Sequence, residues 1–133
     1  MSGKIILIID DDEDLLIGLT PRLKANGYAV IWATDVISAI AVAREEIPDL
    51  IILDIGLPGV DGFQILDRLR DLPDFSEIPV IMLSARDPAV NEQRALNGGA
   101  VAYIQKPPDN NEFLSAIRKA LGETVTIATF LNR

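Results

Sequence analysis

Five short apolar runs recur along this sequence, and a longer segment with helical spacing of its apolar residues follows each of them. The runs are rich in Ile, Val and Leu and cover residues 5–9, 29–33, 50–53, 80–83 and 101–104. Short runs of such residues, bounded by polar or turn residues, predict β-strands. The first, third and fourth runs are almost continuously apolar, which is typical of parallel strands that are covered on both faces.

The segments between these strands predict amphipathic helices, because their apolar residues recur three or four positions apart. The residues with this spacing are Leu15, Leu16, Leu19 and Leu23; Ile37, Ile40 and Ile47; Ile65, Leu66, Leu69 and Leu72; and Phe113, Leu114, Ile117 and Leu121. A weaker helix over 89–97 is predicted to end at Gly98-Gly99. Pro21 lies inside the first helix, where we expect it to bend the helix axis. These β-α repeats predict an α/β fold, with a parallel sheet and helices on both faces.

Composition restricts the chemistry and the partners available to this chain. A length of 133 residues suits one domain, and a net charge of −8 argues against direct binding of nucleic acid or of an anionic membrane. The sequence contains no cysteine and no histidine, so thiol chemistry is excluded and any metal must be bound through oxygen. No apolar run is long enough to cross a bilayer, and the N-terminus lacks the apolar core of a secretory signal, so we expect a cytoplasmic protein.

Polar side chains follow four of the predicted strands, at the edge where an open parallel sheet binds its ligands. They are Asp10 and Asp11 after the first strand, Asp54 after the third, Ser84 after the fourth and Lys106 after the fifth. Three converging carboxylates repel one another, and Mg²⁺ is a cation that relieves such repulsion. With a hydroxyl and an ammonium, the set suits phosphoryl transfer. Asp54 is the better candidate nucleophile because it is the lone acid at a central strand end.

The acidic run after the first strand continues beyond these candidates. Asp12, Glu13 and Asp14 are predicted to begin the first helix. Carboxylates at that position accept hydrogen bonds from free backbone N–H groups and interact favourably with the positive end of the helix dipole. The run therefore divides into a pair of candidate metal ligands and a helix start.

Over roughly residues 3–121, the sequence resembles the receiver domain of two-component response regulators, of the chemotaxis-regulator type. The matching motifs are the Asp10-Asp11 pair, LDIGLPGVDG around Asp54, LSA at Ser84, and Tyr103 followed by Lys106-Pro107. Each motif alone is weak, but four in order and at the right spacing are highly specific. The resemblance implies a flavodoxin-like, doubly wound (βα)5 fold with a five-stranded parallel sheet in the order 2-1-3-4-5. It divides the chain into a receiver at 1–121 and a C-terminal tail or linker stub at 122–133.

The resemblance also implies a role for each site residue. Asp54 would accept a phosphoryl group from a phosphohistidine on a histidine kinase or a histidine phosphotransfer protein. Mg²⁺ would be bound by Asp10, Asp11, Asp54 and the backbone carbonyl of Gly56. Ser84 and Lys106 would contact the bound phosphoryl group.

Signalling would follow from a conformational switch. In the family, Ser84 moves toward the phosphoryl group and the aromatic at the Tyr103 position rotates inward. The surface of the fourth helix, fifth strand and fifth helix then changes. The chain would be a phosphoacceptor that catalyses only its own phosphorylation and dephosphorylation, and not otherwise an enzyme. Its downstream protein or fused output domain, and phosphorylation-dependent dimerisation, are left open.

Some positions depart from the usual family pattern. Gly56 stands where many relatives carry a larger side chain, Arg86 follows two residues after Ser84, and Pro108 stands where an aromatic is frequent. The resemblance implies a cis Lys106-Pro107 bond. In the tail, Val125 and Ile127, with Phe130, give a mild strand-like alternation, compatible with a free tail, an added edge strand or a linker stub.

Three other functions make different demands on these residues. A haloacid-dehalogenase-type phosphatase needs a second acid two residues after its nucleophile, where this chain has Gly56. A flavin-binding module needs a Ser-, Thr- and Gly-rich loop after the first strand, where this chain has DDDED. A receiver-like module that signals without phosphorylation is the remaining alternative.

Overall fold

The computed structural model describes residues 3–57 and 59–123 of the chain. Their secondary structure comprises β1 (Ile5–Ile9), α1 (Glu13–Ala25), β2 (Ala29–Ala33), α2 (Val36–Glu46), β3 (Leu50–Leu53), α3 (Gly62–Asp71), β4 (Val80–Ser84), α4 (Pro88–Asn97), β5 (Ala102–Gln105) and α5 (Asn110–Ala120). The strands form one parallel sheet in the order β2-β1-β3-β4-β5. The predicted α/β fold, flavodoxin-like with this strand order, is confirmed. Within the described residues, no helix is both long and apolar enough to span a membrane.

Two apolar layers cover the sheet, one on each face. The layer formed with α1 and α5 contains Leu16, Leu23, Phe113 and Ile117, and the opposite layer contains residues of α2, α3 and α4. Residues of β1, β3 and β4 contribute to both layers, which explains their continuously apolar sequences. The predicted helices on both faces are therefore present.

The prediction of which residues form the buried face of α2 is wrong. Ile37 is 84% exposed, and Ile47 lies beyond the helix, where it adopts a left-handed conformation with φ 49°. The residues that α2 buries are Ala39 and Ala43. Small side chains let the helix backbone approach the sheet closely, so contact with the core does not require the larger isoleucines. Ile40 is partly buried against the same layer.

An aspartate precedes the first turn of every helix in the described part of the chain. The residues are Asp12, Asp35, Asp61, Asp87 and Asp109, and each side chain accepts a hydrogen bond from a backbone N–H of the first turn. This arrangement confirms that Asp12 begins the first helix and satisfies N–H groups that have no partner within the helix. α1 runs continuously through Pro21, and the bend predicted there stays a prediction.

Tyr28 connects the start of β2 to the end of α5. Its side chain is buried, and its hydroxyl donates a hydrogen bond of 2.9 Å to Oε1 of Glu123. Burial and the neighbouring carboxylate both disfavour the phenolate, and together they raise the pKa of Tyr28 to about 12.

We expect the free energy of unfolding to fall as the pH rises from 10 to about 12. An unfolded tyrosine loses its proton near pH 10, whereas folded Tyr28 keeps it until about pH 12, so deprotonation favours the unfolded chain over that interval. Below pH 10 the contribution is fully present. Tyr28→Phe has no hydroxyl to titrate and should show a smaller fall. Urea unfolding of both proteins across this range checks the prediction, which an equal fall in the two proteins would contradict.

Candidate functional site

The carboxyl ends of β1 and β3 and the residue after β5 bring two carboxylates and an ammonium together. Nζ of Lys106 lies 2.8 Å from Oδ2 of Asp10 and 3.5 Å from Oδ2 of Asp54. Asp10 is 1% exposed and Asp54 is 7% exposed, so both carboxylates are largely removed from water. Asp10, Asp54 and Lys106 therefore lie close together at one edge of the sheet, as their positions after the strands predict.

Asp11 completes an acidic cluster with the two buried carboxylates. One carboxylate oxygen from each of Asp10, Asp11 and Asp54 lies within 4.8 Å of the others, and Asp11 is exposed to solvent. Three oxygen donors, one of them open to water, fit a small hard cation that keeps several of its own water ligands. The donor set therefore fits Mg²⁺.

Electrostatics couple Asp10 to Lys106. Burial raises the pKa of Asp10, and its hydrogen bond with Lys106 opposes that rise only in part. Burial alone would lower the pKa of Lys106, but the hydrogen bond from its ammonium to Asp10 and the negative charges of Asp10 and Asp54 outweigh burial, so this pKa is raised. The ammonium is thus a firmly held internal counter-ion for the two carboxylates.

Backbone N–H groups fix the orientation of both buried carboxylates. The Asp12 N–H donates a bond of 2.9 Å to Oδ1 of Asp10, and the Gly56 N–H donates one of 3.2 Å to Oδ1 of Asp54. A Cβ at Gly56 would lie 3.9 Å from both carboxylate oxygens of Asp54. Gly56 therefore places no side-chain atom on that side of Asp54. The role of the Gly56 carbonyl as a metal ligand stays a prediction.

Gly62 holds the loop that follows Asp54 against the start of α3. Its N–H donates to the carbonyl of Ile55 at 2.9 Å, and an added Cβ would lie only 2.5 Å from Cα of Ile55. Any other residue at position 62 would push α3 away from this loop. Gly62 is the last residue of the LDIGLPGVDG motif, but its close contact with Ile55 depends on the backbone path and was not predicted from the sequence.

Ser84 and Tyr103 are joined through the backbone of Arg86. The Arg86 N–H donates to Oγ of Ser84 at 3.1 Å, and the Tyr103 hydroxyl donates to the Arg86 carbonyl at 2.8 Å. Ser84 is 1% exposed and Tyr103 is 6% exposed, and burial raises the pKa of the tyrosine. The connection was not predicted, because a backbone group leaves no signature in the sequence. The Lys106-Pro107 bond is cis, as the resemblance implies.

Comparison with known proteins identifies the family. A family model described as the response regulator receiver domain matches residues 6–118. The chain belongs to the response regulator receiver domain family. The motifs at the strand ends are thus those of a signalling family. Membership of this family argues against the phosphatase and the flavin-binding module as alternatives.

Curated relatives of this receiver domain differ in length. It is 38% identical over 124 residues to the transcriptional regulatory protein KdpE of Mycobacterium tuberculosis, covering 93% of this chain and 54% of that protein. It is 35% identical to the polar-differentiation response regulator DivK of Brucella anthropi, covering 90% of this chain and 98% of that protein. The chain therefore spans about half the length of KdpE and nearly the whole of DivK.

Solved structures share both the fold and part of the sequence. The CheY-like response regulator receiver domain protein of Methanospirillum hungatei is 33% identical, covers 92% of this chain and 96% of its own, and has a TM-score of 0.82. The receiver domain of the sensor histidine kinase PA1611 from Pseudomonas aeruginosa is 27% identical, covers 91% of this chain and 99% of its own, and has a TM-score of 0.79. The latter was crystallised with a magnesium ion coordinated in its active site cleft.

Proposed function

We propose that Asp54 accepts a phosphoryl group from a phosphohistidine of a histidine kinase or phosphotransfer protein. The observation that carries the proposal is the placement of Asp54: its carboxylate is oriented by a backbone N–H, lies 3.5 Å from the Lys106 ammonium and has no side chain above it at Gly56. A carboxylate in this position can form an acyl phosphate. One O–P bond forms at Asp54, and the N–P bond to the partner's imidazole breaks.

Lys106 and Ser84 have the chemistry to stabilise the transferred group. Phosphoryl transfer is accelerated mainly by positioning and by neutralising charge on the phosphoryl oxygens. The Lys106 ammonium is already next to Asp54 and can move its contact from the carboxylate to a phosphoryl oxygen. Ser84 accepts a hydrogen bond from the Arg86 N–H, a bond that does not use its own hydroxyl proton, so the hydroxyl can donate to a phosphoryl oxygen.

Asp10, Asp11 and Asp54 would bind Mg²⁺, with the Gly56 carbonyl as a fourth protein ligand. When bound, the ion supplies positive charge that neutralises the phosphoryl oxygens during transfer. The support is the oxygen donor set described above, together with the magnesium in the cleft of the PA1611 receiver. Asp10 is held by Lys106 and the Asp12 N–H, and Asp11 presents its carboxylate to solvent.

Asp11→Asn should weaken Mg²⁺ binding by at least about 10-fold and reduce Mg²⁺-dependent phosphorylation from acetyl phosphate. The substitution removes one of three carboxylate charges at the cluster and leaves the buried pair unchanged. Asp12→Asn is the matched control, because Asp12 lies one residue away but serves as the N-cap of α1, a role that asparagine also fulfils. Calorimetric titration with MgCl₂ checks this. Equal affinities for the two variants would remove Asp11 from the metal site.

We further propose that phosphorylation alters the surface formed by α4, β5 and α5. The Ser84–Arg86–Tyr103 connection offers the route, since movement of Ser84 toward a phosphoryl group would break its bond with the Arg86 N–H. A change in the Arg86 backbone would then reach Tyr103 on β5 and bias two packings of this surface. The downstream partner would be a protein or a fused output domain contacting this surface. The receiver itself would not contact nucleic acid directly, and its site of action would be the cytoplasm.

A further inference from the structure

α4 is the helix with the fewest buried residues in the described part of the chain. It buries Ala95, whereas α2 buries two residues, α1 and α5 bury three each, and α3 buries five. Val90 and Leu96 of the same helix are exposed. Because burial of apolar area supplies most of the energy that holds a helix on a core, α4 depends more than the other helices on its remaining contacts.

Arg94 joins the middle of α4 to the start of α3. Its guanidinium carbon lies over the Phe63 ring, 4.0 Å from the ring centre. One of its nitrogens lies 3.9 Å from Oδ2 of Asp61, the N-cap of α3. This ion pair is long and exposed to solvent, so it contributes little. The contact with the face of a buried aromatic ring is the stronger of the two.

The start of α3 is in direct contact with the backbone of the proposed phosphoacceptor. Gly62 donates its N–H to the Ile55 carbonyl, and an added Cβ would lie 2.6 Å from the Asp54 carbonyl oxygen. Asp61 and Phe63 flank this glycine, and the Phe63 N–H donates to Oδ1 of Asp61 at 3.0 Å. A displacement of the backbone at the phosphoacceptor would therefore move the two residues that the guanidinium contacts.

The two ends of α4 are attached differently. At its C-terminal end, a Cβ at Gly98 would lie 3.0 Å from Cδ2 of Leu66, and one at Gly99 would lie 3.0 Å from Cδ of Arg70, so this end packs closely on α3. At its N-terminal end, the helix follows the Arg86 backbone, which movement of the site hydroxyl would disturb. A helix fixed at one end can turn about that end, and the guanidinium contact, one helical turn before it, opposes the turn.

We propose that Arg94 is a positioning residue that holds α4 in the packing of the unphosphorylated receiver by joining it to the loop that follows Asp54. The inference rests on the proposed phosphorylation of Asp54. In the packing described, one carboxylate oxygen of Asp54 accepts from the Gly56 N–H and the other lies near the Lys106 ammonium, as expected for a free carboxylate. Loss of the Arg94 contact would favour the alternative packing, and by linkage it would strengthen binding of whatever prefers that packing.

Beryllofluoride, which binds an aspartate carboxylate as a mimic of the phosphoryl group, tests the inference on the full chain in the presence of Mg²⁺. Arg94→Gln should bind it about 2- to 5-fold more tightly than wild type, the factor that corresponds to one cation–π contact at a partly exposed site. The direction is informative, because loss of a positive charge alone would weaken the binding of an anion. Fluorine NMR of the bound anion measures the affinities.

Three variants control for charge and packing. Arg68→Gln removes the same charge from an exposed position on α3 and should bind beryllofluoride no more tightly than wild type. Arg94→Lys keeps a cation that can lie over the ring and should restore an affinity close to that of wild type. Phe63→Leu keeps an apolar side chain in the core without the aromatic face. Once Phe63→Leu is present, Arg94→Gln should have no further effect on the affinity.

Hydrogen exchange provides a second measurement, which needs no ligand. The amides of Ala95 and Leu96 should exchange about 2- to 5-fold faster in Arg94→Gln than in Arg68→Gln, because the contact that holds α4 is missing in the first variant. The amides of α1 should exchange equally in the two variants, which distinguishes a local release of α4 from a general loss of stability.

Three results would overturn the inference. If wild type binds beryllofluoride and Arg94→Gln binds it equally or more weakly, Arg94 has no part in the switch, and the proposed function stands. If the α4 amides exchange equally in Arg94→Gln and Arg68→Gln, the contact does not hold the helix. If wild type binds no beryllofluoride, the proposed phosphorylation of Asp54 fails, and the inference fails with it.

Discussion

Asp54→Asn will abolish the gain of one phosphoryl group that we expect the wild-type chain to show after incubation with acetyl phosphate and Mg²⁺. The amide has nearly the shape of the carboxylate, so the fold and the contact with the Gly56 N–H are retained, but a neutral amide is a very poor nucleophile. Removing a nucleophile lowers a rate by orders of magnitude, and we expect a loss of at least about 10³-fold. Intact-mass measurement with and without Mg²⁺ gives the result directly.

The control for this experiment is Asp71→Asn, which makes the same substitution at an exposed residue at the end of α3. It should gain the phosphoryl group as wild type does. If Asp54→Asn gains a phosphoryl group, the acceptor is Asp10 or Asp11, and the assignment of Asp54 as the phosphoacceptor is refuted. If wild type gains nothing, binding of beryllofluoride distinguishes rapid hydrolysis from the absence of phosphorylation, because a complex forms only in the first case.

The sheet could be predicted from the sequence because strands that are buried on both faces consist almost entirely of apolar residues. β1, β2 and β3 agree with the predicted runs, and β4 extends one residue further, to Ser84. β5 is shifted by one residue at both ends, from the predicted 101–104 to Ala102–Gln105, and Val101 before it is half exposed. The alternatives for the tail, which are an added edge strand, a free tail and a linker stub, concern residues 124–133, outside the described part of the chain. The α2 face was predicted wrongly because hydropathy ranks isoleucine above alanine, whereas close packing of a helix on a sheet selects small residues.

The site was predictable to the extent that it depends on strand ends. Parallel strands bring their carboxyl ends to one edge, so Asp10, Asp54 and Lys106 had to converge once the strands were placed. Two contacts were beyond the reach of sequence. The ammonium of Lys106 lies nearer to Asp10 than to Asp54, and the Arg86 backbone joins Ser84 to Tyr103, because both depend on side-chain and backbone placement within an ångström.

Lys106→Met is expected to lower the free energy of unfolding by about 3 kcal/mol in the absence of divalent cations, as is typical when one partner of a buried ion pair is removed. Lys106 is the ammonium that compensates two buried carboxylates, and the methionine side chain fills similar space without the charge. Addition of MgCl₂ should restore more stability to this variant than to wild type, because the metal then supplies the missing positive charge. Urea unfolding with EDTA or with MgCl₂ measures both effects.

Two further variants distinguish the loss of the counter-ion from the effect of replacing any lysine by methionine. Lys119→Met makes the same substitution on the exposed side of α5 and should change stability by less than about 0.5 kcal/mol. Asp10→Asn combined with Lys106→Met removes a carboxylate together with its counter-ion and should recover much of the lost stability. If Lys106→Met is as stable as wild type in EDTA, the ammonium does not compensate the pair. The carboxylates would then need another source of positive charge, and Lys106 would be available to the phosphoryl group without first giving up a contact.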